Sequence, residues 1–165
     1  MSGVNTIDQL FVEELKDIYS AETQITKALP KMVKAATSEE LKTAFKSHLE
    51  ETEGQIERLD QIFQTLHVNP KGKTCEGMKG VLEEGEEMLK ETEEGGIRDA
   101  ALISAAQRVE HYEMAAYGAV SNYAEKLGKP QVVKLLEETL EEEKAADKKL
   151  AQIALKIQQQ ALRAA

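Results

Sequence analysis

The chain has 165 residues, 41% of them hydrophobic, which is enough for one domain with a substantial core. Its formal net charge of -9 argues against nucleic-acid binding and against anionic membranes, since both partners need basic surface patches. Leu, Ala, Glu, Lys and Gln dominate, Trp is absent and Pro occurs 3 times, so the composition favours an all-α protein.

The sequence also bears on the cellular compartment. No apolar run approaches the ~20 residues of a membrane span, and the first residues lack the basic and then apolar pattern of a secretion signal. The single cysteine, Cys75, cannot form an internal disulfide, which fits a reducing compartment. We therefore expect a cytoplasmic protein with no membrane partner.

A long first helix is predicted to begin at the capping-box pattern of Thr6 and Gln9. Pro30 predicts a kink in its last turn or an early end. Glu22 occupies an inward position between Ile18 and Ile25, so a carboxylate stands where a core residue is expected. The apolar residues with helical spacing are Ile7, Leu10, Phe11, Leu15, Ile18, Ile25, Leu29 and Val33.

Ser38, followed by two glutamates, predicts the start of a second helix. Its predicted inward stripe is Leu41, Phe45, His48, Glu51, Gln55, Leu59, Ile62 and Leu66. His48 and Glu51 are polar residues in the middle of this stripe, with apolar residues at both ends. Residues 69–73 contain Pro and Gly and end the pattern.

A shorter third helix is predicted over residues 76–93, within a long crossover connection that Gly95 and Gly96 end. Its apolar stripe is Met78, Leu82, Gly85 and Leu89.

A fourth helix is predicted from about Arg98 to Leu127, with Gly128 as its C-cap and Pro130 close behind. Its inward stripe is Leu102, Ala106, Glu110, Glu113, Tyr117, Val120, Ala124 and Leu127. The final helix repeats the pattern with Leu136, Leu140, Glu143, Asp147, Leu150, Ala154 and Ile157. Both stripes therefore place carboxylates at core positions.

Four long helices, paired by short turns and joined by a long middle connection, predict a four-helix bundle with one crossover that carries an additional short helix. We expect one domain over residues 1–165. It would consist of a helical hairpin at 6–66, the crossover at 67–97 and a second hairpin at 98–160.

The inward carboxylates are predicted to lie at one height in the bundle. Residues equidistant from a tight turn lie side by side in an antiparallel pair, as Glu22 with Glu51 and Glu113 with Glu143 do. Each lies roughly 15 residues, or about 22 Å, from its turn. If the two halves stack, one central layer gathers the candidate metal ligands Glu22, His48, Glu51, Glu110, Glu113, Glu143 and Asp147.

Such a layer needs positive charge. Six carboxylates cannot share a dry interior as free anions, because each would cost several kcal/mol. Protons or metal ions must neutralise them, and oxygen-rich ligands with an imidazole suit iron or manganese. Two divalent ions would offset four negative charges, and paired metals bridged by glutamates occur in helical bundles. The sequence therefore predicts a dinuclear metal centre.

Each residue also has a plainer explanation. Any one of Glu22, Glu51 and Asp147 could bend toward water at a loose bundle position. His48 alone would fit a hydrogen-bonded core histidine, and Tyr117 would fit core filling or hydrogen-bond donation. His111 lies off the stripe and is a weaker candidate for ligation, and Tyr112, also off the stripe, is interpreted as a packing residue. The metal interpretation rests on the coincidence that all four long helices interrupt their apolar stripes at matched height.

Four segments of the chain contain candidate ligands in a recognisable local sequence: 19–22, 48–52, 110–113 and 141–144. Residues 98–102 and 109–117 are more specific still. These segments resemble the YciF-like bacterial stress proteins, a ferritin-like family, and the resemblance covers nearly the whole chain. It implies a ferritin-like bundle, a dinuclear iron site, a homodimer and induction under stress.

The wider ferritin and rubrerythrin pattern is similar at Glu22, Glu51, Glu110 with Glu113, and Glu143. Those proteins usually carry a histidine three residues after the second-helix and fourth-helix glutamates. This chain has Gly54 and Ala146 at those positions. His48 and Asp147 are the candidate substitutes, because the predicted stripes place both on the inward face.

We therefore expect a centre of two iron ions, or of manganese, that reacts with dioxygen or peroxide or oxidises ferrous iron. The alternative is a non-enzymatic, stress-induced helical dimer that acts through partner binding, with a vestigial or structural metal site. The choice between oxidoreductase and non-enzyme stays open on the sequence, no catalytic residue is assigned, and no organic-substrate pocket is evident.

Overall fold

The computed structural model describes residues 3–164 and confirms the predicted all-α fold. No strand occurs within this described range. The helices are α1 (Ile7–Ala35), α2 (Glu39–Leu66), α3 (Glu76–Glu91), α4 (Gly96–Lys126) and α5 (Pro130–Ala164). Among the described residues, no helix has both the length and the apolar character that crossing a membrane requires.

The long helices form a four-helix bundle with one crossover, as predicted. The hairpin of α1 and α2 packs on the hairpin of α4 and α5, with α1 against α4 and α2 against α5. The crossover helix α3 lies on α1 and α4. Two apolar clusters fill the interior, one around Phe45, Leu102 and Leu150, the other around Phe11 and Leu136. The interrupted stripes lie between these clusters.

The helix ends follow the local sequence signals. The Thr6 side chain accepts a hydrogen bond from the backbone N–H of Gln9 at 3.2 Å, and Ser38 caps α2 in the same way. After α4, Gly128 has a φ of 66°, a conformation that glycine adopts without strain. Its N–H donates to the Glu125 carbonyl, so this turn is the predicted glycine C-cap.

Pro30 does not end α1 early. The helix continues to Ala35. Pro30 is exposed, so the carbonyl of Thr26, which its missing N–H leaves without a helical partner, lies on the solvent side of the bundle. Water can satisfy that carbonyl, and the helix tolerates the proline.

Asp99, in the first turn of α4, ties the turn between α1 and α2 to the second hairpin. Its carboxylate is buried and accepts hydrogen bonds from the backbone N–H groups of Thr37, at 2.7 Å, and Ser38, at 2.8 Å. Hydrogen bonds to a charged acceptor are among the stronger ones in proteins. Asp99 therefore fixes the register between the two hairpins at this end of the bundle.

We expect Asp99→Ala to lower the free energy of unfolding by about 2 kcal/mol, because two backbone N–H groups lose their charged, buried acceptor. Chemical denaturation measures the change. Asp8, an exposed acid in the first turn of α1, provides the control, since Asp8→Ala removes the same charge near a helix start without such contacts. Equal effects of the two substitutions would contradict the bridging role.

Cys75 anchors the crossover. Its sulfur is buried and lies 3.0 Å from both Asp17 Oδ2, on α1, and the Tyr112 hydroxyl, on α4. Tyr112 also donates to Asp17, and the Cys75 sulfur accepts the N–H of Met78 at the start of α3. These contacts fasten the beginning of α3 to the two helices that it covers.

Candidate metal centre

Five polar side chains meet in the layer between the two apolar clusters. Glu22, Glu113 and Glu143 are at most 1% exposed, Glu110 is 2% exposed and His48 is 7% exposed. Each comes from the interrupted stripe of its helix. Ligand atoms of His48, Glu110, Glu113 and Glu143 all lie within 4.8 Å of one another, a spacing that can hold a metal ion.

Most of these ligand atoms have no hydrogen-bond partner among the described residues. They are both oxygens of Glu113 and of Glu143, one oxygen each of Glu22 and Glu110, and both ring nitrogens of His48. His48 Nε2 lies 3.2 Å from Glu110 Oε1, but without the geometry of a hydrogen bond. A buried polar atom without a partner costs about 1–3 kcal/mol, so the cluster has lone pairs for a cation, a proton or a bound water to satisfy.

Tyr117 supports Glu22 from α4. Its buried hydroxyl donates a hydrogen bond of 2.5 Å to Glu22 Oε1, which fixes one oxygen and leaves Oε2 unpartnered. The sequence left two roles open for Tyr117, core filling and hydrogen-bond donation, and the structure shows that it has both. Such outer contacts orient metal ligands.

Tyr117→Phe should lower the free energy of unfolding of the metal-free protein by about 1–2 kcal/mol, because Glu22 Oε1 loses its donor inside the core. Thermal or urea unfolding checks this. Tyr123, a partly buried tyrosine on the same helix, provides the matched Tyr→Phe control. A loss of the same size at both positions would show that the hydroxyl of Tyr117 has no special role.

Burial and mutual repulsion shift the acid–base behaviour of the cluster. Desolvation raises the pKa of Glu22 to about 7, and the charge of Glu143 adds to this, against the lowering effect of contacts with Glu113 and Tyr117. Desolvation also raises the pKa values of Glu110 and Glu113 well above their usual range. Desolvation lowers the pKa of His48, but nearby carboxylates, with Glu51 first, outweigh it and raise the net value.

Glu51 does not lie on the inward stripe of α2. Its side chain is 43% exposed, with Oε2 3.7 Å from His48 Nδ1. The buried position belongs to the next residue, Thr52, whose hydroxyl donates to the His48 carbonyl. From His48, steps of three and of four residues both fit helical spacing, and packing selects the uncharged side chain. Glu51 therefore stands at the rim of the cluster.

Asp147 also lies outside the central layer. Its side chain is 23% exposed and faces α4, where Gln107 donates to Oδ1 at 3.1 Å and His111 Nε2 lies 3.3 Å from Oδ2. His111 itself is 63% exposed. The prediction that Asp147 faces inward is wrong, because Glu143 and Leu150 already fill the inward positions of α5 around it.

One polar contact beside the layer was missed. Glu142 of α5 pairs with Arg58 of α2 and accepts a hydrogen bond from Gln55 at 3.1 Å. Thr139 accepts a further bond from Arg58. The sequence carries no signal for this clasp, since pairing across α2 and α5 depends on the rotation of each helix. These contacts link α2 to α5 beside the cluster.

Comparison with known proteins places the chain in a family. Residues 6–163 match the family model described as Domain of unknown function (DUF892). The chain is 50% identical over 154 residues to Protein YciF of Escherichia coli (strain K12), covering 93% of each chain. The crystal structure of that stress protein has a TM-score of 0.90 at 49% identity, covering 93% of this chain and 97% of that one.

Two further structures are similar. YcfI from Rhodopseudomonas palustris, for which a structural role has been suggested, has a TM-score of 0.87 at 47% identity and covers 90% of this chain and 94% of its own. A protein of Xanthomonas campestris pv. campestris shares the fold at a TM-score of 0.76 and 20% identity, over 96% of this chain and 97% of its own. The family match and the close likeness to the E. coli stress protein lead to one conclusion: the chain belongs to the YciF-like family of stress proteins.

Proposed function

We propose that this protein is a stress-response protein with a dinuclear iron or manganese centre that reacts with dioxygen or peroxide, or oxidises ferrous iron. The observation that carries the proposal is the group of buried carboxylates with unpartnered oxygens around a buried imidazole. The ligands would be Glu22, His48, Glu110, Glu113 and Glu143. When bound, the metal ions would supply the electron-transfer chemistry, which no protein side chain of this cluster offers.

The charge of the cluster supports two metal ions. Four buried glutamates carry four negative charges when ionised, and two divalent ions neutralise them while His48 stays neutral. Four oxygen donors with one nitrogen donor suit iron and manganese. The six carboxylates expected from the sequence would have left an excess of negative charge on two divalent ions, so the burial of four glutamates supports a dinuclear centre better.

The chain's own residues would hold and orient the ligands. Tyr117 fixes Glu22, and Glu51 and Glu110 approach the two nitrogens of His48. Glu51 would become a ligand after rotation of its exposed side chain. Asp147, which is tied to Gln107 and His111, would act on the centre through its charge, which contributes to the raised pKa of Glu110.

A second candidate function is non-enzymatic: a stress-induced helical homodimer that acts through partner binding, with the polar layer as a vestigial or structural cation site. The structural role suggested for YcfI of Rhodopseudomonas palustris favours it. Light scattering of the wild-type protein tests the homodimer, which we propose for either function on the family resemblance.

The deciding experiment measures metal content by elemental analysis, on protein purified without chelators and again after anaerobic reconstitution with ferrous ion. We expect about two ions per chain. We also expect the loaded protein to consume dioxygen or peroxide faster than free ferrous ion in the same buffer. No bound metal in either preparation would overturn the proposal, and bound metal without accelerated oxidant consumption would favour the structural candidate.

A further inference from the structure

A cavity of about 110 Å³ lies beside the metal ligands and is lined by residues of all five helices. His48 and Glu110 form part of its wall at the centre of the bundle. The exposed residues Glu51 and Lys149 also line it, so it reaches the surface between α2 and α5. It therefore connects solvent with one side of the cluster.

Most of the wall is apolar. Side chains from four helices contribute, among them Ile25, Leu29, Phe45, Val109 and Leu150. On the far side, Leu82 of α3 closes the space, so the crossover helix completes the cavity. Water needs two to four polar partners to be held in a cavity, and an apolar wall does not supply them. The interior favours apolar contents.

The size and the charges of this cavity restrict what it holds. In another protein, an engineered apolar cavity of about 150 Å³ stays dry and binds benzene or xenon. A hydrated cation would lose its water against these walls at high cost. The mouth carries one acid, Glu51, and one base, Lys149, so it selects neither anions nor cations.

We propose that this cavity binds a small, uncharged organic molecule with an apolar body and at most one polar group, which meets His48 and Glu110 at the inner end. The binding of this molecule does not depend on the proposed function. The role of the molecule as a substrate or modulator of the centre rests on the proposed function. The protein would then present an apolar compound, rather than a hydrated ion, to this side of the cluster.

Benzene is the probe, added to metal-free wild-type protein and followed by NMR. We expect saturable binding that shifts the imidazole resonances of His48, while those of His67, an exposed residue at the end of α2, stay unchanged. The absence of saturable benzene binding would overturn the proposal. Binding that leaves the His48 resonances unmoved would also overturn it, because the ligand would then lie elsewhere.

Two variants locate the bound molecule. Ala145→Phe fills the mouth from an exposed position, and Ala28→Leu fills the cavity from the opposite wall. Ala151→Phe adds the same ring at an exposed position of α5 that does not line the cavity. We expect a loss of benzene affinity of at least about tenfold in either cavity variant and none in the control. Unchanged affinity in both cavity variants would overturn the proposal.

The same experiment keeps the two proposals apart, because benzene binding is measured without metal. A protein that binds benzene beside His48 but takes up no iron or manganese keeps the cavity assignment and overturns the proposed function. A protein that takes up metal and accelerates oxidant consumption but binds no benzene keeps the proposed function and overturns the cavity assignment.

Discussion

Ferrous or manganous ion at a hundred times its Kd should raise the free energy of unfolding of the wild-type protein by about 2.7 kcal/mol, since a ligand that binds only the folded state stabilises it by mass action. Glu113→Gln should abolish this gain. Both oxygens of Glu113 are buried and unpartnered in the cluster, and an amide offers one neutral oxygen where the metal needs an anion. Chemical denaturation with and without the ion measures the difference.

Asp147→Asn is the matched control for this comparison. The same chemical change is made on a carboxylate that lies outside the central layer, so the metal-dependent gain should remain. Glu51→Gln tests whether the glutamate at the rim rotates inward to bind the ion. A partial loss of the metal-dependent gain in the free energy of unfolding would indicate that it does. A full gain in Glu113→Gln would show that the ion binds elsewhere on this acidic protein.

Metal-free protein should lose stability as the pH rises from about 4.5 to about 7, opposite to the usual behaviour of paired surface carboxylates. The pKa of Glu22 rises from 4.5 in the unfolded chain to about 7 in the folded protein. Below about pH 4.5 Glu22 is protonated in both states, so its raised pKa costs the folded state no stability. Between pH 4.5 and pH 7 Glu22 ionises in the unfolded chain but stays mostly protonated in the folded protein. The free energy of unfolding therefore falls as the pH rises.

The expected loss from Glu22 is on the order of 3 kcal/mol, at 1.36 kcal/mol per pKa unit. The raised pKa values of Glu110, Glu113 and His48 act in the same direction, because each group binds its proton more tightly in the folded state. Urea denaturation at a series of pH values measures the slope. Glu22→Gln should flatten it, and a wild-type stability that rises across this window would contradict the expectation.

The height of the polar layer was predictable from the sequence, but the rotation of each helix was only partly so. Counting from the tight turns brought Glu22, Glu113 and Glu143 to one level, because 1.5 Å per residue fixes height directly. The same count does not fix which side chains point inward, since steps of three and of four residues both fit a period of 3.6. At Glu51 and Asp147 that ambiguity decided the outcome, and packing against neighbouring helices turned both side chains outward.

Contacts between distant residues were beyond the sequence patterns. The Asp99 bridge depends on where the start of α4 meets the turn between α1 and α2, and the clasp between Arg58 and Glu142 depends on the packing of α2 on α5. The cavity beside His48 has the same origin. Apart from His48 and Glu110, its inner walls consist of ordinary apolar residues of five helices, which give no signal in their own segments.

The position of Cys75 makes the crossover observable in solution. The thiol is fully buried between Asp17 and Tyr112, so a reagent in solvent reaches it only when the start of α3 detaches. The rate of thiol labelling under native conditions therefore reports how often this segment opens, separately from global unfolding. An oxidant that reacts at the centre would equally leave the sulfur intact for as long as α3 stays in place.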